Sequence, residues 1–357
     1  MSESNFLSYD KKDLLSKCAN MSQMAGITPF MYTEGKAAGL KAFEVETGGG
    51  LNYIVLQDKC LDIFKVKYKG INISFVSKAG LVHPHYYNPD PAEFTKNFQG
   101  GMLFTCGLSN VGSPCIIDGV QYTQHGTIHA VPASRVSASA KWIYDKYIME
   151  ISGEMAESRL FGENLILNRT LTSEFGGKYV KINDSLTNHG FETQEFMILY
   201  HFNFGYPFLS EDTELVLPNC SSVPRDEEAA KGIKSFKTFE NPVDGYKEQV
   251  FYHDLTADDN GYVTVLVKNE KLGFGVYLSY KKESLDRFIQ WKSMKTGDYA
   301  LGLEPSNCYV GGRAAEMSSE KGLKKIEPME KIDFELTLGI VDAGEEMERL
   351  EKKLMKG

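Results

Sequence analysis

Along YVKINDSLTN, residues 179–188, apolar side chains recur at alternate positions: Val180, Ile182 and, past an interruption at Asp184, Leu186. A period of two marks a strand with one buried face. The interruption predicts a bulge or bend near Asp184. LNYIVLQ, FKVKYKGINISFV, RVSASAKWIYDKYIMEISGEM, LILNRTLTSEF, EFMILYHFNFGYPFL, GYVTVLVKN, LGFGVYLSY and FELTLGIV are also rich in β-branched and aromatic residues, and turn residues bound most of them. Helical periodicity is scarce. KKDLLSKCA predicts a short helix. GEEMERLEKKLM sets Met347, Leu350 and Leu354 on one face, with acids early and lysines late, as a helix dipole favours. Closely spaced strands without intervening helices predict a mainly β fold, a large antiparallel β-sandwich or barrel with few short helices. No composition shift divides the chain, so one domain over 1–357 is expected, with an N-terminal extension over 1–24 and a C-terminal helix over 342–357. The polar stretch Val223–Gly245 reads as a long exposed loop.

Composition narrows the function classes. The net charge of -9, with no basic stripe, argues against nucleic acid as a partner. The chain has no apolar run long enough for a membrane span and no signal-peptide core at its start, so a cytoplasmic location is expected. Six scattered cysteines without a CxxC pair fit free thiols in a reducing compartment. Nucleotide-binding and nucleophile-elbow motifs do not occur. His83 and His85, flanked by Pro84 and YYNPDP, read as a surface loop rather than a metal site.

Three stretches carry candidate chemistry. In QHGTIHAVPA, His125 precedes Gly126, where backbone or ligand can approach closely. In LYHFNFGYPFL, His201 and Asn203 share a strand face among aromatic residues, a combination that suits a sugar. In YALGLEPSN, Glu304 arrives at the end of an apolar run, where a carboxylate is costly to bury unless it has a partner. Two imidazoles and one carboxylate suffice for proton transfer, isomerisation or ring opening.

The ordered set LDI, GGMLFTCGLSNVG, HGTIHAVPA, YHFNFGYPFL, QWK, GLEPSN and GLKKIEPMEKIDFELTLGI resembles a poorly characterised bacterial branch of the aldose 1-epimerase family, relatives of galactose mutarotase. The resemblance runs from about Met24 to Ile340. It implies the galactose mutarotase-like β-sandwich, a free sugar or sugar derivative as substrate, and no cofactor or metal. It also implies roles: Glu304 as the base on the anomeric hydroxyl, His201 as the acid on the ring oxygen, and His125 as a group polarising the sugar. Across QWK, GLEPSN and the other motifs, Asn203, Lys292, Asn307, Trp291, Asp62, Asn110 and Arg313 become candidate substrate-binding positions. Lys292 and Arg313 are candidates to hold an acidic sugar. Cys106 and Cys308 are expected to pack as small hydrophobes near the site. The chain departs from the family's common pattern where Thr127 follows Gly126 in place of arginine, and where Lys59 stands in place of an arginine before LDI. Two alternatives stay open, a non-catalytic carbohydrate-binding protein and another sugar isomerase. A homodimer is the assembly to test for.

Overall fold

The structure, a computed structural model, describes residues 10–88, 90 and 93–355. The first nine residues of the expected extension, part of the YYNPDP loop and the last two residues of the expected C-terminal helix lie outside the described residues.

Two large antiparallel sheets carry the molecule. The eight-stranded sheet runs, in spatial order, Thr213–Val216, Tyr262–Asn269, Phe274–Lys281, Lys331–Asp342, Tyr179–Asn188, Asn164–Glu174, Lys146–Ser158 and Ser134–Ile143. The second sheet runs Cys220–Pro224, Gln249–Leu255, Arg287–Lys295, Asp298–Ser306 and Gln194–Phe204. Beyond Gln194–Phe204, two short strands share its far edge: Lys324–Ile326 pairs with Gln194–Phe196, and Leu103–Leu108 pairs with Met197–Phe202. An N-terminal meander of five strands, Gly26–Met31, Lys41–Glu46, Leu51–Leu56, Asp62–Tyr68 and Ile71–Asn72, packs alongside. Its first two strands do not stand out in the sequence, because Pro29 interrupts the first and charged Lys41, Glu44 and Glu46 make up half of the second.

The interior between the sheets is apolar on both sides. Val180, Ile182, Leu336 and Leu338 meet Tyr200, Phe202, Phe204, Leu301 and Leu303 in one cluster. The strand Gln194–Phe204 is buried on both faces from Phe196 onward. Alternate residues Met197 and Leu199 join a second cluster with Phe94, Phe104, Val250 and Ile289 on the sheet's other side. A polar residue on that second face is therefore enclosed unless a cavity reaches it.

The bulge expected near Asp184 does not form. Tyr179–Asn188 keeps an unbroken register with both neighbours, and Asp184 points into the core as Val180 and Ile182 do. Arg169, directly opposite it, supplies the counter-charge that lets the carboxylate stay inside. The stretch Val223–Gly245 is not simply a solvated loop either. It holds a helical turn, Glu227–Lys231, and buries Ala229 and Phe239. Its carbonyls at Ser235 and Thr238 accept hydrogen bonds from Lys292. The C-terminal helix spans Glu345–Leu354 and packs Met347, Leu350 and Leu354 against Val216, Leu266 and Val341. No helix of the described residues is long and apolar enough to cross a membrane.

Candidate active site

The register between two neighbouring strands builds the centre. Phe202 pairs with Leu303, which sets His201 beside Glu304 on the outward face of the second sheet. His201 Nε2 lies 3.1 Å from Glu304 Oε1. Side chains this close on adjacent strands need space above the backbone between them, and Gly302 provides it. A Cβ at 302 would stand 2.7 Å from His201 Cε1 and 2.9 Å from Glu304 Oε1. An isolated glycine inside a strand commonly marks such a close approach. That was the readable but unread signal in YALGLEPSN.

A cavity of about 500 Å³ opens over the pair, within the range that holds a small ligand. His125, His201, Glu304 and Trp291 line it, together with aromatic rings that include Phe75, Phe94, Phe98 and Phe104. Glu304 and His201 sit side by side in one wall of the cavity, not on opposite sides of it, because antiparallel pairing puts directly opposed residues on the same face.

The electrostatics of the pair follow from burial. Glu304 is 3% exposed, and among the described residues no lysine or arginine lies within ion-pair distance of it. Desolvation pushes its carboxyl well above the ordinary carboxylate range, and the Glu248 charge adds to the rise. Desolvation holds the His201 imidazole well below its ordinary value, with nearby His125 acting in the same direction. Both shifts favour the uncharged form of the pair, with the proton on Glu304, over a carboxylate–imidazolium ion pair. Asn203 on the same strand face engages its amide nitrogen with the carbonyls of Gly101 and His201, at 2.9 and 3.0 Å. Its oxygen and His201 Nδ1 are both buried without a hydrogen-bond partner among the described residues.

His125 is set differently. It has φ +59° and is followed by Gly126 at φ +69°, where a Cβ would meet the Gly107 carbonyl at 2.1 Å. This tight turn aims the ring into the cavity, 6.2 Å from His201 between centroids. The Gly112 amide donates to His125 Nδ1 at 3.3 Å, which places the ring proton on Nε2. Burial lowers its pKa to about 4, so at neutral pH His125 is an uncharged hydrogen-bond donor.

The remaining sequence candidates do not line the cavity, and each has internal partners. Asp62 is buried and accepts from Thr105 and Arg169. Asn110 braces the loop that carries His125, donating to the Ser113 and Thr123 carbonyls and accepting from Arg313 N. Asn307 ties its strand to the Ile198 amide. Lys292 is consumed by Glu240, Ser235 and Thr238. Arg313 pairs with Glu195 and lies over the Tyr122 ring. The two residues proposed to hold an acidic sugar are thus turned away from the cavity. Sequence reading missed Arg225 and Glu248, which line it as an ion pair, with Glu248 also accepting from Trp291 Nε1 at 2.8 Å. Cys106 and Cys308 pack in the apolar cluster beneath, and all six cysteines are free. The His83 and His85 rings lie 4.1 Å apart between centroids, tilted by 45°, and His83 Nδ1 accepts the His85 amide.

The two departures from the family pattern have local explanations. Thr127 donates to Glu157 Oε1 at 2.5 Å. Lys59 is buried against the Val82 carbonyl, and its pKa falls to about 8 for lack of solvent. Neither residue lines the cavity.

Comparison with solved structures agrees with this architecture. A provisionally named aldose 1-epimerase from Klebsiella pneumoniae superposes with a TM-score of 0.88 at 24% identity, covering 94% of this chain and 90% of that one. A galactose mutarotase-like protein from Clostridium acetobutylicum gives 0.61 at 15% identity, over 90% and 99% of the two chains. A galactose 1-epimerase from Lactobacillus acidophilus gives 0.56 at 12% identity, over 90% and 100%. No curated protein matches the chain by sequence. Residues 37–340 match the family described as a domain of unknown function, DUF4432, so the chain belongs to that family and has the galactose mutarotase-like fold.

Proposed function

We propose that the protein is an aldose 1-epimerase-like isomerase that interconverts the anomers of a sugar by acid–base ring opening and closure. The observation that carries this reading is the His201–Glu304 pair, 3.1 Å apart and desolvated, in the wall of an aromatic-lined cavity.

The side-by-side arrangement suits the reaction. The anomeric oxygen and the ring oxygen of a pyranose are bonded to the same carbon, so a donor and an acceptor that serve both must be neighbours. Handing the shared proton from Glu304 to His201 Nε2 gives a carboxylate and an imidazolium. Glu304 then takes the proton from the anomeric hydroxyl while His201 protonates the ring oxygen and the C1–O5 bond breaks. Rotation about C1–C2 and closure by the reverse transfers give the other anomer. The pair ends with the one proton it began with. His125 Nε2–H donates to a sugar oxygen without exchanging charge. Trp291 and the phenylalanines offer flat apolar faces for the sugar ring. Proton transfer by placed groups of this kind contributes about 10²–10⁴ in rate.

Saturation-transfer NMR of anomer exchange over a panel of free sugars tests the proposal. Exchange faster than in buffer for at least one sugar is expected. Binding without acceleration would leave a carbohydrate-binding protein.

A further inference from the structure

Among the described residues that line the cavity, each cation is paired: Arg225 with Asp226 and Glu248, and Lys78 with Asp298 at 2.8 Å. Immediately beside it lies a second cleft of about 420 Å³ of the opposite character. Lys65 and Lys67 line it with Asn72, Tyr206 and Tyr299. The two lysines sit two residues apart on the strand Asp62–Tyr68 and so share a face. Neither makes an ion pair or hydrogen bond with another described residue; Lys65 lies over the Phe64 ring. Their direct neighbours across the sheet are Ile54, Asn52 and Asn72, and the carboxylates in line with them, Glu44 and Glu46, stand one strand farther away, outside the cleft. On a chain of net charge -9, two uncompensated ammonium groups in one cleft stand out. Tyr206 is 74% exposed at the rim, free to cover the face of a sugar.

The two spaces adjoin. Phe75 lines both, and Gly297 in the cleft precedes Asp298 in the cavity. A Cβ at Gly297 would stand 3.6 Å from Lys78 Nζ, so the Lys78–Asp298 pair is the partition between them.

We infer that the cleft is a subsite for the anionic part of a saccharide, a carboxylate, sulfate or phosphate carried beyond the ring whose anomeric carbon lies at His201 and Glu304. The assignment of the reducing ring rests on the anomer-exchange reading above; the anion-binding cleft itself does not. A lysine ammonium recognises any of these anions as a point charge, while the tyrosines supply the saccharide surface.

Two readouts separate the claims. The first is calorimetric binding of a neutral disaccharide, the same disaccharide with a terminal uronic acid, and a neutral monosaccharide with its 6-sulfated and 6-phosphorylated forms. The second is anomer exchange on the same compounds. At least one anionic compound should bind the wild type about tenfold tighter than its neutral counterpart, with the advantage fading as salt rises. Lys65→Met with Lys67→Met should abolish that preference and leave the exchange rate of a neutral monosaccharide unchanged. Lys65→Arg with Lys67→Arg should restore it. Which anion shows the preference identifies its source. Equal binding of every anionic and neutral pair, or a preference that survives the double methionine variant, overturns the subsite. Charge-dependent binding with no anomer exchange on any compound would uphold the cleft and remove the isomerase reading.

Discussion

Two carboxylates buried equally deeply in this molecule live in opposite circumstances. Asp62 belongs to a closed ionic network: Arg169 reaches Asp62 at 2.7 Å and Asp184 at 2.7 Å, and also donates to Thr105 Oγ1 and the Cys60 carbonyl. Tyr200 completes Asp184 at 2.8 Å. Every side chain there has zero exposure and an internal partner. Glu304 has one partner, a neutral imidazole, and a cavity. A buried charge that is fully hydrogen-bonded holds a fold in register, while one left short of partners beside a cavity is poised for proton chemistry. The same contrast separates Asp62 from the candidate site, although the sequence placed both in it.

The largest expected effect comes from removing the proton-carrying group. Glu304→Gln should lower anomer exchange by about 10²–10⁴ while preserving the fold, since an amide needs no counter-charge in a desolvated site. Full exchange in that variant would remove Glu304 from the mechanism. His201→Asn should slow the same step. The pH profile offers an independent reading of the pair. Because burial raises Glu304 and lowers His201, the one-proton state should persist across a broad plateau spanning neutral pH. Activity should fall on the acid side as the pair gains a second proton and on the alkaline side as it loses its only one. A narrow bell centred on the ordinary histidine range would contradict the desolvated geometry.

The ionic network should respond in the other currency. Arg169→Met strands two buried carboxylates and should cost about 3–5 kcal/mol of stability in urea denaturation. Exchange per folded molecule should stay near wild type. A variant that keeps its stability but loses exchange would place the network in the site after all.

The contrast also explains what was legible in the sequence. Alternation exposed the strand around Val180, β-branched residues exposed the strand around Val265, and the 3.6-residue pattern exposed the C-terminal helix. Polar residues embedded in apolar runs pointed to His201 and Glu304, because such an embedding is local. Whether a polar residue is satisfied is not local. Asp62 meets Arg169 107 residues away, Lys292 meets Glu240 52 residues away, and Asn110 meets Arg313 203 residues away. Nothing near any of them in the chain announces its partner. Arg225 and Glu248 went unread for the same reason: the segment that brings them to the cavity reads as solvated until its buried Phe239 and Ala229 are seen.

Gly302 tests whether the pair needs its spacing. Gly302→Ala would force a methyl against His201 and Glu304, whose nearest atoms would be 2.7 and 2.9 Å away. Overpacking of this kind costs about 1–3 kcal/mol, and misplacement of reacting groups by about 1 Å can cost roughly 10²-fold in rate. Exchange should therefore fall by more than the stability loss accounts for at a temperature where the variant is folded. Unchanged exchange would mean that the pair tolerates displacement and that its close contact is incidental.

The smallest effect, invisible at neutral pH, belongs to a third imidazole that serves as a control. His253 lies on the same sheet, 4% exposed, but both its nitrogens are engaged: Ser222 Oγ at 2.8 Å and Gln290 Oε1 at 3.1 Å. Burial lowers its pKa from the ordinary 6.5 to about 4. Between those values the unfolded chain binds the proton and the folded one does not, so stability falls as pH drops from 6.5 towards 4 and is unaffected above 6.5. Urea denaturation at pH 7 and pH 4.5 should show His253→Gln losing less stability on acidification than wild type, by on the order of 1–2 kcal/mol. Anomer exchange at neutral pH should not change. If it does, being satisfied is not what separates a structural histidine from a working one on this sheet, and the distinction drawn between Asp62 and Glu304 loses its basis with it.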